Sequence, residues 1–506
     1  MTYRAGEYRP DESRAGRSGV DPGSRRTPAR LDSMSRAKRE LFAQRLAGRR
    51  SKSGDSAGRA GRSGGRAGGA DQPAVWSNSL SPAEERFWMA YMFEDQSSAY
   101  HIPITFRLTG HLDVAALEGA LSTVLTRHDI LRTRYLIDAD GELTAVVDDP
   151  RSCELVVVPA GDDPQALLDA ATEAPFDLET GPLLRPLLLR AATGEHYLHF
   201  TVHHIVTDGW SIGNLINELT LVYNARVSGG QPDLPELTMQ YRDHALQQRA
   251  RAGELAGEVA FWRQALSGAP RELGLRTDHP RRSHVKVPGR SVTITFPKQA
   301  ALDIARRSKS TVFMVLLAAY SVVLGRRAGH TDVVVGTPIA GRRDPVTEPL
   351  MGCFINTLVM RTDLSGDPTF KELLLRVRQW TLQAYENQDV PFEQIVDAVI
   401  ERTGTRSTLI QAWLALQNFP DPALDLVGLD AEDVYVTTPA TKFDVTFYVD
   451  ELDDVMELEV EYDSSLFDEG TIRDLADEFA GILTTAVRGL DQRLSELTSS
   501  RPRALS

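Results

Sequence analysis

Two early segments repeat apolar residues at the spacing of an α-helix. SPAEERFWMAYMF begins at Ser81 and carries Glu84 three positions later, which is the pattern of a capping box. LDVAALEGALSTVLTRH places Leu117, Leu121 and Val124 on one helical face. Both segments therefore predict amphipathic helices that pack against a core.

Other segments show the pattern of strands or of buried helices. DILRTRYLI, ELTAVVDD and TDVVVGTPIAG are short, β-rich and bounded by polar or glycine residues, which predicts strands. TVFMVLLAAYSVVLGRRAG is apolar around its circumference and predicts a buried helix, whereas YRDHALQQRARAGELAGEVAFWRQAL predicts a polar helical stretch. Helices and strands alternate to the end of the chain. The fold class expected is therefore α/β, with mixed α+β sheets.

One strand pattern ends in two histidines. HYLHFTVHHIV predicts a strand, and SIGNLINELTLVYNA after it predicts a helix with an apolar stripe from Ile212 to Tyr223. Successive side chains of a strand point to opposite faces, so His203 and His204 cannot serve the same role. One is expected to face a cavity while the other anchors the backbone.

The first part of the chain differs in composition from the rest. Residues 1–74 are rich in Gly, Ser, Arg and Ala, and we expect a disordered basic tail there. Within it, SMSRAKRELFAQRLAGRR predicts a short basic amphipathic helix at about 34–48. Such a helix is too short to be stable alone. It either folds on a partner or has no role, and both interpretations stay open.

We expect the folded body to divide into two lobes. The segment GAPRELGLRTDHPRR is rich in Pro, Gly and Arg, and it follows the polar helical stretch. We therefore place an N-terminal lobe at 75–255 and a C-terminal lobe at 256–500.

Composition narrows the class of protein. The chain has 506 residues with 42% hydrophobic and 25% charged residues, which is typical of a globular protein with more than one compact unit. No apolar run reaches the roughly 18 residues of a membrane span, and no secretory signal is evident. Two cysteines are too few for a disulfide framework or a cysteine-based zinc site. These features predict a cytoplasmic protein without a membrane partner or a bound metal.

The charge is unevenly distributed. Residues 1–75 hold 17 Lys and Arg against 8 Asp and Glu, while the remainder holds 39 against 62. The acidic body lacks a basic patch with interleaved aromatic residues, so we expect no nucleic-acid partner.

The histidine segment offers chemistry of its own. A neutral imidazole at a strand end can accept a proton from an amine or a hydroxyl, because its ordinary pKa is near ~6.5. Asp208 is placed to pair with a cation and to fix the loop. As a bare pattern, HHIVTDG is as compatible with packing as with a site.

The surrounding motifs favour a site. HHIVTDGWS resembles the His-His-x-x-x-Asp-Gly signature of the condensation domains of nonribosomal peptide synthetases. SPAEERFWM is similar to the opening motif of that family, with glutamate where glutamine is more usual, and RHDILRTRY is similar to its Arg-His-Glu-x-Leu-Arg-Thr motif. The later matches stand in the family's order, and they are YRDHA, FWRQALSGAP, MGCFINTLVMR, NQDVPFEQIV, KFDVTFYV and EYDSSLF. The resemblance covers about residues 76–500.

The resemblance implies a fold and a reaction. The fold would be two chloramphenicol-acetyltransferase-like lobes in a V-shaped pseudo-dimer, with the site in a tunnel between them. His204 matches the catalytic histidine, which would deprotonate or orient the acceptor amine. Asp208 would pair with Arg361, and the Gly209 N–H would contact the developing oxyanion. Asn356 would line the tunnel.

The remaining site residues follow from the same match. The catalytic set comprises His203, His204, Asp208 and Gly209, and the supporting set comprises Arg361, Asn356, Trp210 and Ser211. Arg127, His128 and Arg132 are expected to form an ion-pairing junction rather than to catalyse. Trp210 is expected to pack rather than to contact substrate.

The resemblance also implies partners. The acyl group would arrive as a thioester on the phosphopantetheine arm of one carrier protein, and the amine would arrive on a second. No permanently bound cofactor is expected, and we expect a monomer. We find no adenylation domain or carrier-type serine motif, which predicts a free-standing enzyme that recruits carriers in trans, unless the chain is an excised fragment. The basic helix at 34–48 is then a candidate carrier-docking element.

Two other interpretations stay open. A CoA-dependent acyltransferase of the wax-ester type would use acyl-CoA and a soluble alcohol, without a carrier. A non-catalytic recruitment domain would bind a partner without transfer, although the intact His203, His204, Asp208 and Gly209 argue against it. A hydroxyl acceptor, which would give an ester, also remains possible.

Overall fold

Helices and strands alternate along the chain, as the apolar pattern predicts. The computed structural model describes residues 74–77, 80–93, 98–139, 141–191, 194–281, 288–399, 409–417, 423–436 and 440–497. Residues 1–73 of the tail predicted at 1–74, with its helix at 34–48, lie outside the described residues, whereas Ala74 lies in the first strand. All described residues belong to one compact unit, Ala57–Ser506.

The helices number eleven within the described residues. In chain order they are α1 (Pro82–Phe93), α2 (Val114–Arg127), α3 (Pro164–Glu173), α4 (Gly209–Ser228), α5 (Tyr241–Ala250), α6 (Ala256–Ala265), α7 (Lys298–Ser308), α8 (Val312–Ala328), α9 (Phe370–Glu386), α10 (Phe392–Val399) and α11 (Glu469–Ala486).

The strands form three sheets. In chain order they are β1 (Ala74–Ser77), β2 (His101–Gly110), β3 (Thr133–Ile137), β4 (Leu143–Val147), β5 (Val156–Pro159), β6 (Leu184–Arg190), β7 (Glu195–His203), β8 (Gly289–Pro297), β9 (Asp332–Ile339), β10 (Asn356–Asp363), β11 (Ala412–Gln417), β12 (Leu429–Asp433), β13 (Val445–Glu451) and β14 (Val455–Asp463).

The histidine strand lies at the centre of the five-stranded sheet. The order of this sheet is β12-β2-β7-β6-β5, and β7 pairs antiparallel with β2 and β6. The second large sheet has the order β10-β9-β11-β13-β14-β8, and a small sheet has the order β1-β4-β3. Strand β12 comes late in the chain but pairs with β2, so it crosses the lobe boundary predicted at 255/256. That boundary stays a prediction.

Helix α8 is the centre of the larger core. All of its residues from Met314 to Gly325 are buried, as predicted from its apolar circumference. Among the described residues, no single helix is long and apolar enough to cross a membrane; only α7 and α8 together meet the criteria of length and composition, and they are bent by 104°.

Local sequence signals account for several boundaries. The predicted capping box of α1 forms: the Glu84 N–H donates to Ser81 Oγ at 3.1 Å, and the Ser81 N–H donates to Glu84 Oε2 at 2.6 Å.

Two predictions of secondary structure need correction. The first half of DILRTRYLI is a 3₁₀ turn at Asp129–Arg132, and the polar helical stretch is broken at Arg251–Leu255. Gly253 lies in that break, where its flexibility disfavours a continuous helix.

Candidate active site

Strand β7 ends between the two histidines. The sequence predicts a strand through HHIV, but β7 stops at His203 and a 3₁₀ turn occupies His204–Val206. The two faces of β7 still alternate, and both are buried near its end. The break in the strand gives the two histidine side chains separate environments, as their different roles require.

His203 is a buried packing residue. Its Nδ1 accepts a hydrogen bond from the Ile205 N–H at 3.1 Å, so the proton of the neutral ring lies on Nε2. The ring lies edge-on to Phe176 and His101, at centroid distances of 5.6 and 6.1 Å. Burial lowers the pKa of His203 well below its ordinary value. The geometry gives this residue a role in fixing the chain before the turn.

His204 has the opposite tautomer. Its Nδ1 lies 2.9 Å from the Thr207 carbonyl oxygen, and because a carbonyl only accepts, Nδ1 must carry the proton. Nε2 of the neutral ring therefore has a free lone pair. His204 is partly exposed, whereas both of its neighbours along the chain are buried. An imidazole held in this way can accept a proton at Nε2.

The environment of His204 keeps the ring neutral. The Phe87 ring stacks on the imidazole with centroids 4.8 Å apart and planes 19° apart. Burial, with a smaller contribution from the positive charge of Lys442, lowers the pKa of His204 to about 3. The ring is therefore uncharged across the whole neutral range, with the Nε2 lone pair unprotonated.

Asp208 organises the loop that follows. Its buried carboxylate caps α4 by accepting the Ser211 N–H at 2.8 Å, and it accepts the Phe354 N–H at 2.9 Å. Arg342 Nη2 donates to the same carboxylate at 3.2 Å. These bonds tie the start of α4 to the segment before β10.

The prediction that Asp208 pairs with Arg361 is wrong. Arg361 donates instead to Asp332, with the closest contact 2.7 Å from Nη2 to Oδ2, and to the carbonyls of Ala265 and Ser267 at 3.0 Å each. The reason is register: Arg361 lies opposite Val334 in the β9–β10 pair, so Asp332 is its diagonal neighbour on the same face. Arg361 therefore supports the sheet rather than the histidine loop.

Arg342 is the residue that sequence reasoning missed. Its side chain is only 2% exposed, its Nη2 donates to Ser211 Oγ at 2.7 Å, and its guanidinium lies 3.8 Å from the Phe354 ring centroid. It comes just after β9, in the polar run GRRD. Two adjacent arginines after a buried strand are the only sequence signal for it, and that signal does not say which one turns inward.

The residues that follow Asp208 begin helix α4. Gly209 is the first residue of the helix and is exposed, so its N–H is one of the amides without an acceptor inside the helix. The Trp210 Nε1–H donates to the Glu348 carbonyl at 2.9 Å. Ser211 Oγ donates to the Gly352 carbonyl at 2.8 Å and accepts the Gly352 N–H at 3.1 Å. Trp210 and Ser211 thus hold α4 against residues 348–352.

Asn356 uses its amide on the backbone. Its Nδ2 donates to the carbonyls of Gln388 and Val390 at 3.0 and 2.8 Å, and its Oδ1 accepts the Phe392 N–H at 3.1 Å. The residue also lines a pocket, which we call the polar pocket. Its lining includes Arg86 of α1, His244 and Gln248 of α5, residues 353–356, and Glu393 of α10.

The predicted junction around Arg127 is structural. Arg127 Nε donates to Glu218 Oε1 at 3.1 Å, and His128 Nε2 lies 2.9 Å from Glu218 Oε2. Arg132 donates to the carbonyl of Leu125 at 2.9 Å and also to that of Asp148. The two contacts with Glu218 join the end of α2 to α4. No group of three or more His, Cys, Asp or Glu side chains in the described part of the chain is placed to hold a metal ion.

Comparison with known proteins identifies the family. Residues 77–504 match the family described as "Condensation domain". The chain is 40% identical over 436 residues to one of the linear gramicidin synthase proteins of Brevibacillus parabrevis, covering 83% of this chain and 8% of that synthase. It is also 40% identical over 405 residues to the malpinin synthetase of Mortierella alpina, covering 78% of this chain and 5% of the synthetase. The chain thus spans less than a tenth of the length of either relative.

Solved structures share the fold. The X-domain from teicoplanin biosynthesis matches with a TM-score of 0.76 and 28% identity, covering 83% of this chain and 97% of that one. A complex of that X-domain with OxyB matches with a TM-score of 0.75 and 28% identity, covering 87% and 99% of the two chains.

The chain belongs to the condensation-domain family of nonribosomal peptide synthesis. Its fold is the chloramphenicol-acetyltransferase-like fold of that family. Condensation domains are acyltransferases that form amide or ester bonds, which is the class of reaction predicted from the motifs.

Proposed function

We propose that this chain joins an acyl or peptidyl thioester on one carrier protein to an amine on a second carrier. The geometry of His204 carries the proposal, because its free Nε2 lone pair, neutral ring and partial exposure suit a group that accepts a proton from an acceptor. His203 is buried, and its ring is fixed by Ile205, so it positions the turn and does not meet substrate.

The reaction balances with the groups present. The amine nitrogen attacks the thioester carbon and forms the new C–N bond, while His204 Nε2 orients the amine or accepts its proton. The C–S bond then breaks, and the released thiolate of phosphopantetheine takes a proton. Because a thioester is already activated, holding both substrates together supplies much of the lowering of the barrier. The base adds about 10²- to 10⁴-fold.

Residues after His204 stabilise the charge that develops. The Gly209 N–H stands at the N-terminus of α4, where the helix dipole favours a negative charge. We assign to it a hydrogen bond to the oxyanion of the tetrahedral intermediate. Asp208 and Arg342 act on this amide indirectly, by holding the first turn of α4 in place.

The partners proposed are carrier proteins or the modules that contain them. Phosphopantetheine arrives as part of the substrate, so the site needs no resident cofactor. We place the reaction in the cytoplasm, with the chain acting as a monomer. The basic segment at 34–48 is a candidate for docking an acidic carrier, which loss of residues 1–70 without any change in carrier affinity would exclude.

Intact-protein mass spectrometry tests the proposal. One carrier is loaded with an acyl or aminoacyl thioester, a second with an amino acid, and transfer is followed with the wild type and with His204→Ala. We expect transfer that needs both carriers and that falls by about 10²- to 10⁴-fold in the variant. Transfer that is unchanged in His204→Ala contradicts the role of His204.

The same assay separates the other candidates. Transfer from acyl-CoA to a free alcohol, without carriers, would favour the CoA-dependent acyltransferase. A hydroxyl acceptor on the second carrier tests for an ester product. The complex of the X-domain with OxyB supports recruitment as a second candidate, and binding of a partner without transfer across a broad substrate panel would favour it.

A further inference from the structure

The polar pocket offers hydrogen-bonding groups that no described residue uses. His244 and Gln248 both lie on α5 and both line the pocket. Within the described ranges, neither the His244 ring nitrogens nor the Gln248 side-chain amide has a hydrogen-bond partner. Half-buried polar groups that line a pocket without a protein partner are available to a ligand, which must replace their water with hydrogen bonds of its own because burying them unpaired costs free energy.

The position of His244 is fixed without those bonds. Its ring packs on Phe354 with centroids 4.7 Å apart and lies 6.0 Å from the Tyr241 ring. Burial, and secondarily the charge of Arg342, lowers the pKa of His244 to about 4. The imidazole is therefore a rigid neutral group with one donor nitrogen and one acceptor nitrogen.

The charged groups of the pocket are paired with each other. Arg86 Nη1 lies 3.3 Å from Glu393 Oε1, so the pair joins α1 to α10 across the pocket. Each side chain is about a quarter exposed, at 23% and 24%. A charged ligand would have to compete with this pair, whereas a neutral ligand leaves it intact. The electrostatics therefore favour an uncharged group.

The pocket is close to the proposed base and small. Cys353 lines it, and the Cys353 Sγ lies 3.9 Å from His204 Nδ1. The free space inside the pocket is about 20 Å³, which is room for about one water-sized group. A single terminal hydroxyl fits such a space, but a large side chain does not.

We infer that the polar pocket is a substrate-recognition subsite for a small, uncharged, hydrogen-bonding group, such as a hydroxyl, with His244 and Gln248 as its specificity-determining residues. The inference rests on the proposed function, since it takes the ligand to be a group on the acyl donor or on the acceptor. A buried site that hydrogen-bonds a substrate hydroxyl rejects the analogue that lacks it, because its own polar groups are then left unpaired.

Matched substrates test the subsite. Threonyl and valyl pantetheine thioesters differ by a hydroxyl in place of a methyl, and their N-formyl forms serve as donor mimics. Binding of all four to the wild type is measured by calorimetry. We expect the threonyl compound to bind about tenfold tighter than the valyl compound, either among the N-formyl donor mimics or among the free-amine acceptor mimics. Equal binding within both pairs, or no binding by any of the four compounds, overturns the inference.

Variants at His244 sharpen the result. His244→Phe keeps a ring against Phe354 but removes both nitrogens, so the threonyl preference should disappear. His244→Gln restores a donor and an acceptor and should recover part of it. His111→Phe, at an exposed histidine, is the control and should keep the full preference. A preference that survives in His244→Phe also overturns the inference.

The outcome is separable from that of the proposed function. Transfer between carriers with no threonyl preference removes the subsite and leaves the condensation reaction standing. A threonyl preference that depends on His244, without transfer between any carriers, supports the subsite and removes the proposed reaction.

Discussion

The two large sheets differ in whether they bury histidine side chains. In the six-stranded sheet, β13 buries Val445, Phe447 and Val449 in the core around α8. In the five-stranded sheet, one face of β7 is equally apolar, but the other buries His199, Thr201 and His203. The strands of the six-stranded sheet contain no histidine at all.

The polar face of β7 is held by its own hydrogen bonds. His199 Nδ1 lies 2.8 Å from Thr105 Oγ1, and His199 Nε2 lies 2.8 Å from Thr201 Oγ1. Such a network needs every partner, because an unpaired buried polar group is costly. The comparison shows that the six-stranded sheet stabilises the fold mainly by apolar packing. The five-stranded sheet uses part of its core to hold the turn at His204–Val206 in one geometry.

The largest effect is expected at Asp208, which follows the turn at His204–Val206 and caps helix α4. Asp208→Ala removes the cap of α4 and leaves the buried Arg342 without its carboxylate. We expect a loss of about 3–5 kcal/mol in the free energy of unfolding, together with loss of transfer. Chemical denaturation and the carrier assay measure the two effects.

Asp332→Ala is the matched control, because it also removes the partner of an arginine. Arg361 is more exposed than Arg342 and keeps the carbonyls of Ala265 and Ser267. The cost should be at most about 1 kcal/mol, with transfer retained. If the two aspartates have equal effects, Asp208 has no special place in the site.

Acid should destabilise the protein through the histidines of the five-stranded sheet. Burial lowers the pKa of His101 and of His199 to about 4. The unfolded chain takes up protons below about pH 6.5 while the folded state does not. The free energy of unfolding should therefore fall as the pH falls from about 6.5 to 4, by about 1.4 kcal/mol per pH unit for each histidine within this window.

The double variant His101→Phe/His199→Val tests this assignment. Denaturation midpoints measured across the pH range should show a shallower slope in the variant, whatever its stability at neutral pH. A slope that stays the same as in the wild type would place the acid sensitivity elsewhere in the molecule.

The six-stranded sheet should lose stability without losing function. Phe447 stacks on Tyr320 of α8 at 4.1 Å and lies edge-on to Phe479 of α11. Phe447→Leu should cost about 1–1.5 kcal/mol, because the smaller side chain packs less completely. The transfer rate, measured per folded molecule, should be unchanged. A drop in that rate would mean that this core also positions the site.

The smallest effect is expected at Phe87. Phe87→Leu removes the stacked ring that shields His204, so water reaches the imidazole and its pKa rises toward the ordinary value. The acid limb of kcat/KM should then move to higher pH by up to about one unit. Phe176→Leu, which removes packing from His203, should leave this limb in place. A shift in the control alone would contradict the assignment of the two histidines.

Much of the fold was predictable because local signals agree with the tertiary structure. The capping box of Ser81 and Glu84, and the apolar circumference of α8, depend on residues close together in sequence. The family was predictable because the motifs occur in order. The end of β7 was not, since the apolar pattern continues through His204–Val206 while the chain leaves the sheet.

The partners of buried charges could not be predicted from one sequence. Arg361 and Arg342 are both arginines near strand ends, and only the register of β9 with β10 sends Arg361 to Asp332. The position of His244 and Gln248 in the polar pocket could not be predicted either, because the sequence of α5 is that of a polar surface helix until the elements that pack against it are known.

The most direct test compares the two histidines as asparagines. An asparagine amide can replace the group at Nδ1 but has nothing at the position of Nε2. In single-turnover transfer between two loaded carriers, His204→Asn should fall by about 10²- to 10⁴-fold, and His203→Asn by less than about tenfold. Equal losses, or a larger loss in His203→Asn, would contradict the claim that His204 Nε2 is the reacting group.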